Sequence, residues 1–238
     1  MLKFILKRFL HAIPLIFIVT IISFAIITLA PGDPVYMFVN PEQATTQELD
    51  LIRSELGLDK PIPVRYALWL GHAVQGDFGR SFRTQRPVMD MLMEAIPNTL
   101  ILALAATLFS FSIAIPAGII SAVKRNSFWD YVFSTISFIG ISLPSFWFGL
   151  MLILLFSLKL NWLPTAGMRE NFDAFVLSDR LRHLVLPAIV LGMGQMASKM
   201  RQLRGSMLEV IRQDYIRTAR SKGLKESVVI LKHAFRNA

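Results

Sequence analysis

Read as a pattern of apolar and polar positions, the chain alternates between long uncharged runs and charged connectors. Lys3, Lys7 and Arg8 come first, and residues 9–30 then carry no charge. Such a run matches the roughly 20 apolar residues a helix needs to cross a bilayer and is longer than the apolar core of a secretory leader. Pro31 directly after Ala30 is a poor cleavage context, so 1–30 reads as a cytosolic N-terminus followed by an uncleaved first span. His11 and Pro14 fit an interfacial side chain and a tolerated kink.

Residues 31–97 form a polar insert, read as a small helical cap on the membrane surface. Pro31-Gly32-Asp33-Pro34 is a rigid turn that stops the first helix. Thr45 with Glu48 has capping-box spacing, and Leu49, Ile52 and Leu56 make an apolar stripe ending at Gly57. Pro63 suits the first turn of a second amphipathic helix holding Tyr66, Leu68, Trp69 and Leu70. Gly76-Asp77-Phe78-Gly79 reads as a turn.

A second span is expected over 98–123, with Pro116 and Gly118 placed to kink its inner end. After a short loop, 124–130, a third span covers 131–158. Its middle, from Gly140 to Trp147, sets Ser142, Pro144 and Ser145 into apolar helix. Carbonyls freed at such a break must face protein or water, so this stretch is either pathway lining or a packing kink. Trp162 fits an interfacial anchor. The fourth apolar segment, 184–200, is short and interrupted by Pro187, Gly192, Gly194 and Ala197, as transporter cores often are. Leu203, Met207, Val210 and Ile211 then make a stripe among Arg201, Arg204 and Arg212, leading along or out of the membrane.

Residues 214–223, DYIRTARSKG, predict a short basic helix. Gly223 suits a left-handed stop, and Lys222 suits the negative end of the helix dipole. Small Thr218 and Ala219 would let a partner approach the backbone closely. Spacing alone favours a solvated juxtamembrane helix over a docking knuckle.

Composition agrees with the pattern. The 238 residues are 54% hydrophobic, with a mean hydropathy of +0.52, too apolar for an ordinary soluble domain. The net charge of +9 raises the question of nucleic acid, but its distribution answers it. Segments 1–8, 124–130 and 199–238 together hold 15 basic and 4 acidic residues, whereas 31–97 and 159–183 hold 10 and 12. The positive-inside rule then puts the N-terminus and residue 238 in the cytosol, and nucleic-acid binding has little support. The chain has no cysteine, no Gly-Lys pair for a phosphate loop and no clustered histidines, so no metal site and no ATP hydrolysis are expected on it. The spans carry no ionisable group at mid-depth, unlike ion- or proton-coupled carriers.

Several motifs carry a resemblance. Residues 214–238 resemble the EAA loop of bacterial ABC-importer permeases of the dipeptide, oligopeptide and nickel branch. Arg217, Thr218 and Ala219 stand at the Glu-Ala-Ala places and Gly223 at the glycine, a departure at two of three letters. Pro31-Gly32-Asp33-Pro34, Leu56-Gly57-Leu58-Asp59-Lys60-Pro61, Gly76-Asp77-Phe78-Gly79-Arg80-Ser81 and Trp162-Leu163-Pro164-Thr165-Ala166-Gly167 resemble signatures of the same branch, in its order. The resemblance implies an all-α polytopic protein with the type I importer transmembrane fold, four spans being present of about six expected. It divides the chain into 1–30, an extracytoplasmic insert 31–97, spans two to four over 98–200 and a cytosolic coupling region 201–238, after which two more spans are expected.

It also implies partners: a second homologous permease, two ATPases carrying ATP and magnesium, and an extracytoplasmic solute-binding protein. The lipid bilayer would be that of the bacterial inner membrane, and no cofactor would bind this chain. Arg217, Thr218, Ala219, Gly223 and Leu224 would couple to the ATPase; Asp33, Asp77 and Arg80 would face the binding protein; Ser142, Pro144, Ser145, Gly192 and Gly194 would line the path. Peptides, glutathione-like compounds and nickel complexes are all open as cargo. A membrane-embedded docking or assembly protein, or an inactive fragment, that moves nothing is the alternative.

Overall fold

The computed structural model describes residues 2–38, 45–168 and 176–238, so the parts of the expected insert at 39–44 and of the connector at 169–175 lie outside the described residues. Among the described residues the regular elements are helices, with one isolated bridge between Arg80 and Pro87. They fall into two units, Met1–Ile96 and Pro97–Ala238, divided within one long helix.

In the first unit α1 covers Leu2–Leu29 and keeps Pro14 inside it. Asp33 caps a short 3-10 turn, Pro34–Met37, by accepting the Val35 amide at 3.1 Å. The expected capping box opens α2, Thr46–Glu55, where Thr45 and Glu48 satisfy each other's amides. Arg53 on α2 donates twice to Asp33, at 2.6 and 3.2 Å, and ties this helix to the turn. α3, Ile62–Val74, starts with Pro63 in its first turn. Its Tyr66 ring packs edge-on to Phe17 and Phe24, and its hydroxyl shares a 2.9 Å hydrogen bond with Thr20. Thr20 lies at the centre of the uncharged run, so α3 leans on the flank of α1 and is more than the surface cap expected. Its aromatic face finds apolar partners there, and the Thr20 hydroxyl finds a polar one.

α4, Val88–Val123, begins ten residues before the expected second span and takes in part of the insert. It passes through Pro97 and Pro116 without ending. Its buried face is Ala106, Ser110, Ala114, Ala117, Gly118, Ser121 and Ala122, small residues at helical spacing that let other helices approach closely. Gly118 serves this packing: a Cβ there would sit 3.0 Å from the Leu203 side chain.

α5, Phe128–Ser142, is capped by Ser127. Asp130, expected in the loop, is therefore in its first turn, and buried. At Leu143 the backbone turns extended, as the residue before a proline prefers. α6, Ser145–Leu152, leaves at 105° to α5 and continues as a π-helical stretch, Ile153–Lys159. The expected third span is thus a sharply broken pair.

α7, Leu177–Val210, joins the expected fourth span and the following stripe into one continuous 34-residue helix. α1, α4 and, taken as one, the α5–α6 pair are long and apolar enough to cross a membrane; α7 is not among them. Its apolar stretch is short and closed at both ends by charge, at Arg182 and Lys199. α8, Asp214–Ser221, follows, then a short α9, Glu226–Val228, which runs into π-helical and 3-10 turns to Asn237.

Candidate coupling site and translocation path

α8 is held by what it buries. Ile216 and Ala219, three positions apart, pack with Met207 of α7, Ala122 of α4 and Val229, Ile230 and Ala234. Burying a side chain the size of Ile216 contributes about 1.5–3 kcal/mol, so the helix is firmly seated. Ala219 therefore faces the chain's own core, and the expected bare patch of Thr218 with Ala219 is corrected: only Thr218 is exposed. Helical geometry forces this, because Ala219 shares a face with Ile216.

Tyr215, Arg217, Thr218, Ser221, Gly223 and Leu224 are left exposed. Tyr215 and Leu224 are the large apolar side chains among them, and Tyr215 was not among the residues expected to couple. Gly223 has φ +75°, the left-handed stop expected. Arg220 then clamps Glu226 at 2.7 and 3.2 Å across the turn and holds its carboxyl below the ordinary glutamate range.

Just inside this module lies a polar joint that the sequence did not reveal. Asp130 of α5 receives two bonds from Arg204 of α7, both at 2.8 Å, one from the Ser121 hydroxyl of α4 and one from the Asn126 amide. Three helices are thus tied at one buried carboxylate. Asp130 and Arg204 are 74 residues apart in sequence, and no local signal links them.

The expected path residues separate into three groups. Ser145 and Gly194 line a cavity of about 590 Å³ between α5, α6 and α7, with the Pro144 break at its edge. Ser142 and Pro144 are exposed but do not line it. Gly192 is buried: a Cβ on it would fall 2.6 Å from the Phe109 ring and 2.7 Å from the Ala106 carbonyl oxygen, so this glycine is a close contact between α7 and α4. A second cavity of about 380 Å³, lined by Thr165, Gly167 and His183 among others, shares Val190 and Leu191 with the first. Together they form a track along α7.

Asp33, Asp77 and Arg80 are each engaged locally. Asp33 holds Val35 and Arg53, Asp77 accepts the Gly79 amide at 2.9 Å, and Arg80 donates to the Gln85 carbonyl at 2.9 Å. Among the described residues no group of three or more His, Cys, Asp or Glu side chains is placed to hold a metal ion.

Comparison with known proteins decides the family. Residues 114–238 match the family model of the binding-protein-dependent transport system inner membrane component, and 1–103 match its N-terminal companion. The chain belongs to this family. Among its relatives are the oligopeptide transport system permease protein AppB of Bacillus subtilis, 44% identical over all of this chain and 75% of the relative. The di/tripeptide transport system permease protein DppB of Pseudomonas aeruginosa is 42% identical over all of the chain and 76% of the relative. The glutathione transport system permease protein GsiC of Escherichia coli K12 is 40% identical, again over all of the chain and 74% of the relative. The protein is an all-α permease subunit of a transport system of the inner membrane.

Proposed function

We propose that the permease carries peptides or small peptide-like solutes into the cell, with ATP and magnesium bound and ATP hydrolysed on two separate ATPase subunits. A second, homologous permease completes the path, and an extracytoplasmic solute-binding protein delivers cargo to the segment around Asp33, Asp77 and Arg80. The N-terminus lies in the cytosol, where the basic excess is. No cofactor binds this chain.

The observation that carries the reading is the build of α8. Its buried side is locked by Ile216 and Ala219 to α7 and α4, while its other side presents Tyr215, Arg217 and Thr218, with Leu224 exposed just past its end. A push on that exposed face moves the ends of two long helices, because the buried cluster does not deform continuously. The Asp130–Arg204–Ser121 joint extends the link to α5. Closure of an ATPase pair would thereby be felt at the cavity beside Pro144. The alternation of access follows from differential binding of the ATPases to two arrangements of these helices.

The test is co-purification and uptake in proteoliposomes. Thr218→Arg adds bulk and charge on the exposed face without touching the buried cluster. It is expected to abolish ATPase association while membrane insertion stays intact. Undiminished association would refute the docking assignment. Association without uptake by the unsubstituted protein would overturn the proposed peptide cargo while leaving the docking assignment intact.

A further inference from the structure

The cavity beside the Pro144 break has one formal charge in its lining. Its walls are mostly apolar, from Ile136 and Leu143 to Val190 and Met193, and its polar side chains are Ser145, Ser198 and Arg201. Arg201 lies over the Phe138 ring, with the guanidinium carbon 5.7 Å from the centroid. Among the described residues it forms no hydrogen bond or ion pair, whereas Arg204, three residues on, is paired with Asp130. The sequence offers two arginines of equal chemistry; the fold pairs one with Asp130 and leaves the other exposed and unpaired.

A guanidinium held on an aromatic ring beside apolar walls is matched by a planar anion, since its fork donates two parallel bonds to a carboxylate. Arg201, Ser145 and Ser198 are all exposed in this chain, so the fork is open to an incoming ligand. A volume of about 590 Å³ is within the range of small-ligand sites and takes a peptide of a few residues. Gly194 borders open space, a Cβ there meeting nothing within 4 Å. We propose that Arg201 binds the C-terminal carboxylate of a peptide in transit, with the Ser145 and Ser198 hydroxyls beside it and the apolar wall taking a side chain. This rests on the peptide-permease reading and adds a station at the end of the track that begins near Thr165 and His183.

The chain has no cysteine, so one introduced thiol reports on the cavity without background. Ile139→Cys on the apolar wall is labelled with a water-soluble thiol reagent, in the transporter assembled in nanodiscs without its binding protein. Trialanine and trialanine amide at millimolar concentration are compared as protectants. The acid is expected to slow labelling several-fold and the amide to leave it unchanged. Arg201→Gln should remove protection, and Arg201→Lys should retain part of it, because the charge stays while the fork is lost. Equal protection by the amide, or none by either, overturns the site. A labelling rate that follows anionic-lipid content and ignores peptide would assign Arg201 to a lipid phosphate and also overturn it. The acid–amide comparison uses native Arg201, so it stands whether or not the variants assemble. ATP-driven peptide uptake by the unsubstituted protein, measured in parallel, separates loss of this site from loss of the permease reading.

Discussion

At the scale of single residues, Asp130 and Arg204 define the strongest expectation. Asp130 is buried and accepts from Arg204, the Ser121 and Ser134 hydroxyls and the Asn126 amide, so removing its cation leaves a charge in a poor solvent. Breaking such a pair costs about 3–5 kcal/mol, whereas replacing both partners by uncharged groups of similar size is nearly neutral. Arg204→Ala should therefore lower the melting temperature in detergent far more than the double change Asp130→Asn with Arg204→Met. A larger loss in the double variant would refute this. Glu226 gives a pH expectation. Its carboxyl is lowered by Arg220, so the clamp's contribution is complete above the ordinary value of 4.5 and is lost as pH falls through the lower folded value. Protection of amides around Gly223, relative to their intrinsic exchange rate at each pH, should be unchanged from neutral pH to the ordinary glutamate value and should fall only below it. Glu226→Gln should weaken protection at neutral pH and match the native chain once Glu226 is protonated.

At the scale of elements, two glycines one half-turn apart on α7 have opposite duties. Gly192→Ala would drive a methyl group into the Ala106 carbonyl and the Phe109 ring, and the carbonyl is backbone that cannot swing away. It should destabilise the α4–α7 contact by roughly 1–3 kcal/mol, as overpacking does, and lower the yield of assembled protein. Gly194→Ala meets nothing, so stability should be unchanged while the cavity narrows. Melting curves of the two variants check the contrast; equal effects would show that the helices adjust freely. The sequence marked both glycines alike as path residues because a small residue in a short span reads the same whether it admits a neighbouring helix or leaves a space. The break at Pro144 was legible, since proline dictates the extended Leu143 before it. The 105° turn was not, because it depends on what α6 packs against.

At the scale of the whole molecule, orientation is the property the charges govern. Thr84 lies in the extracytoplasmic insert and Ser221 in the cytosolic coupling region under the proposed topology. With no native cysteine, Thr84→Cys should react with an impermeant thiol reagent on intact cells, and Ser221→Cys only after the membrane is opened. The reverse pattern would invert the topology and remove α8 from the reach of any cytosolic ATPase.

The sequence by itself determined the apolar helices, the capping box at Thr45, the left-handed stop at Gly223 and the family. Each depends on neighbours within a few residues or on the length of an uncharged run. Only the tertiary structure decided that Ala219 seats α8 instead of offering it to a partner, that Tyr66 reaches Thr20, and that Arg204 is neutralised while Arg201 is not. These outcomes depend on which faces meet across many tens of residues. A helix records its own periodicity in sequence, but not the partner its buried face will find.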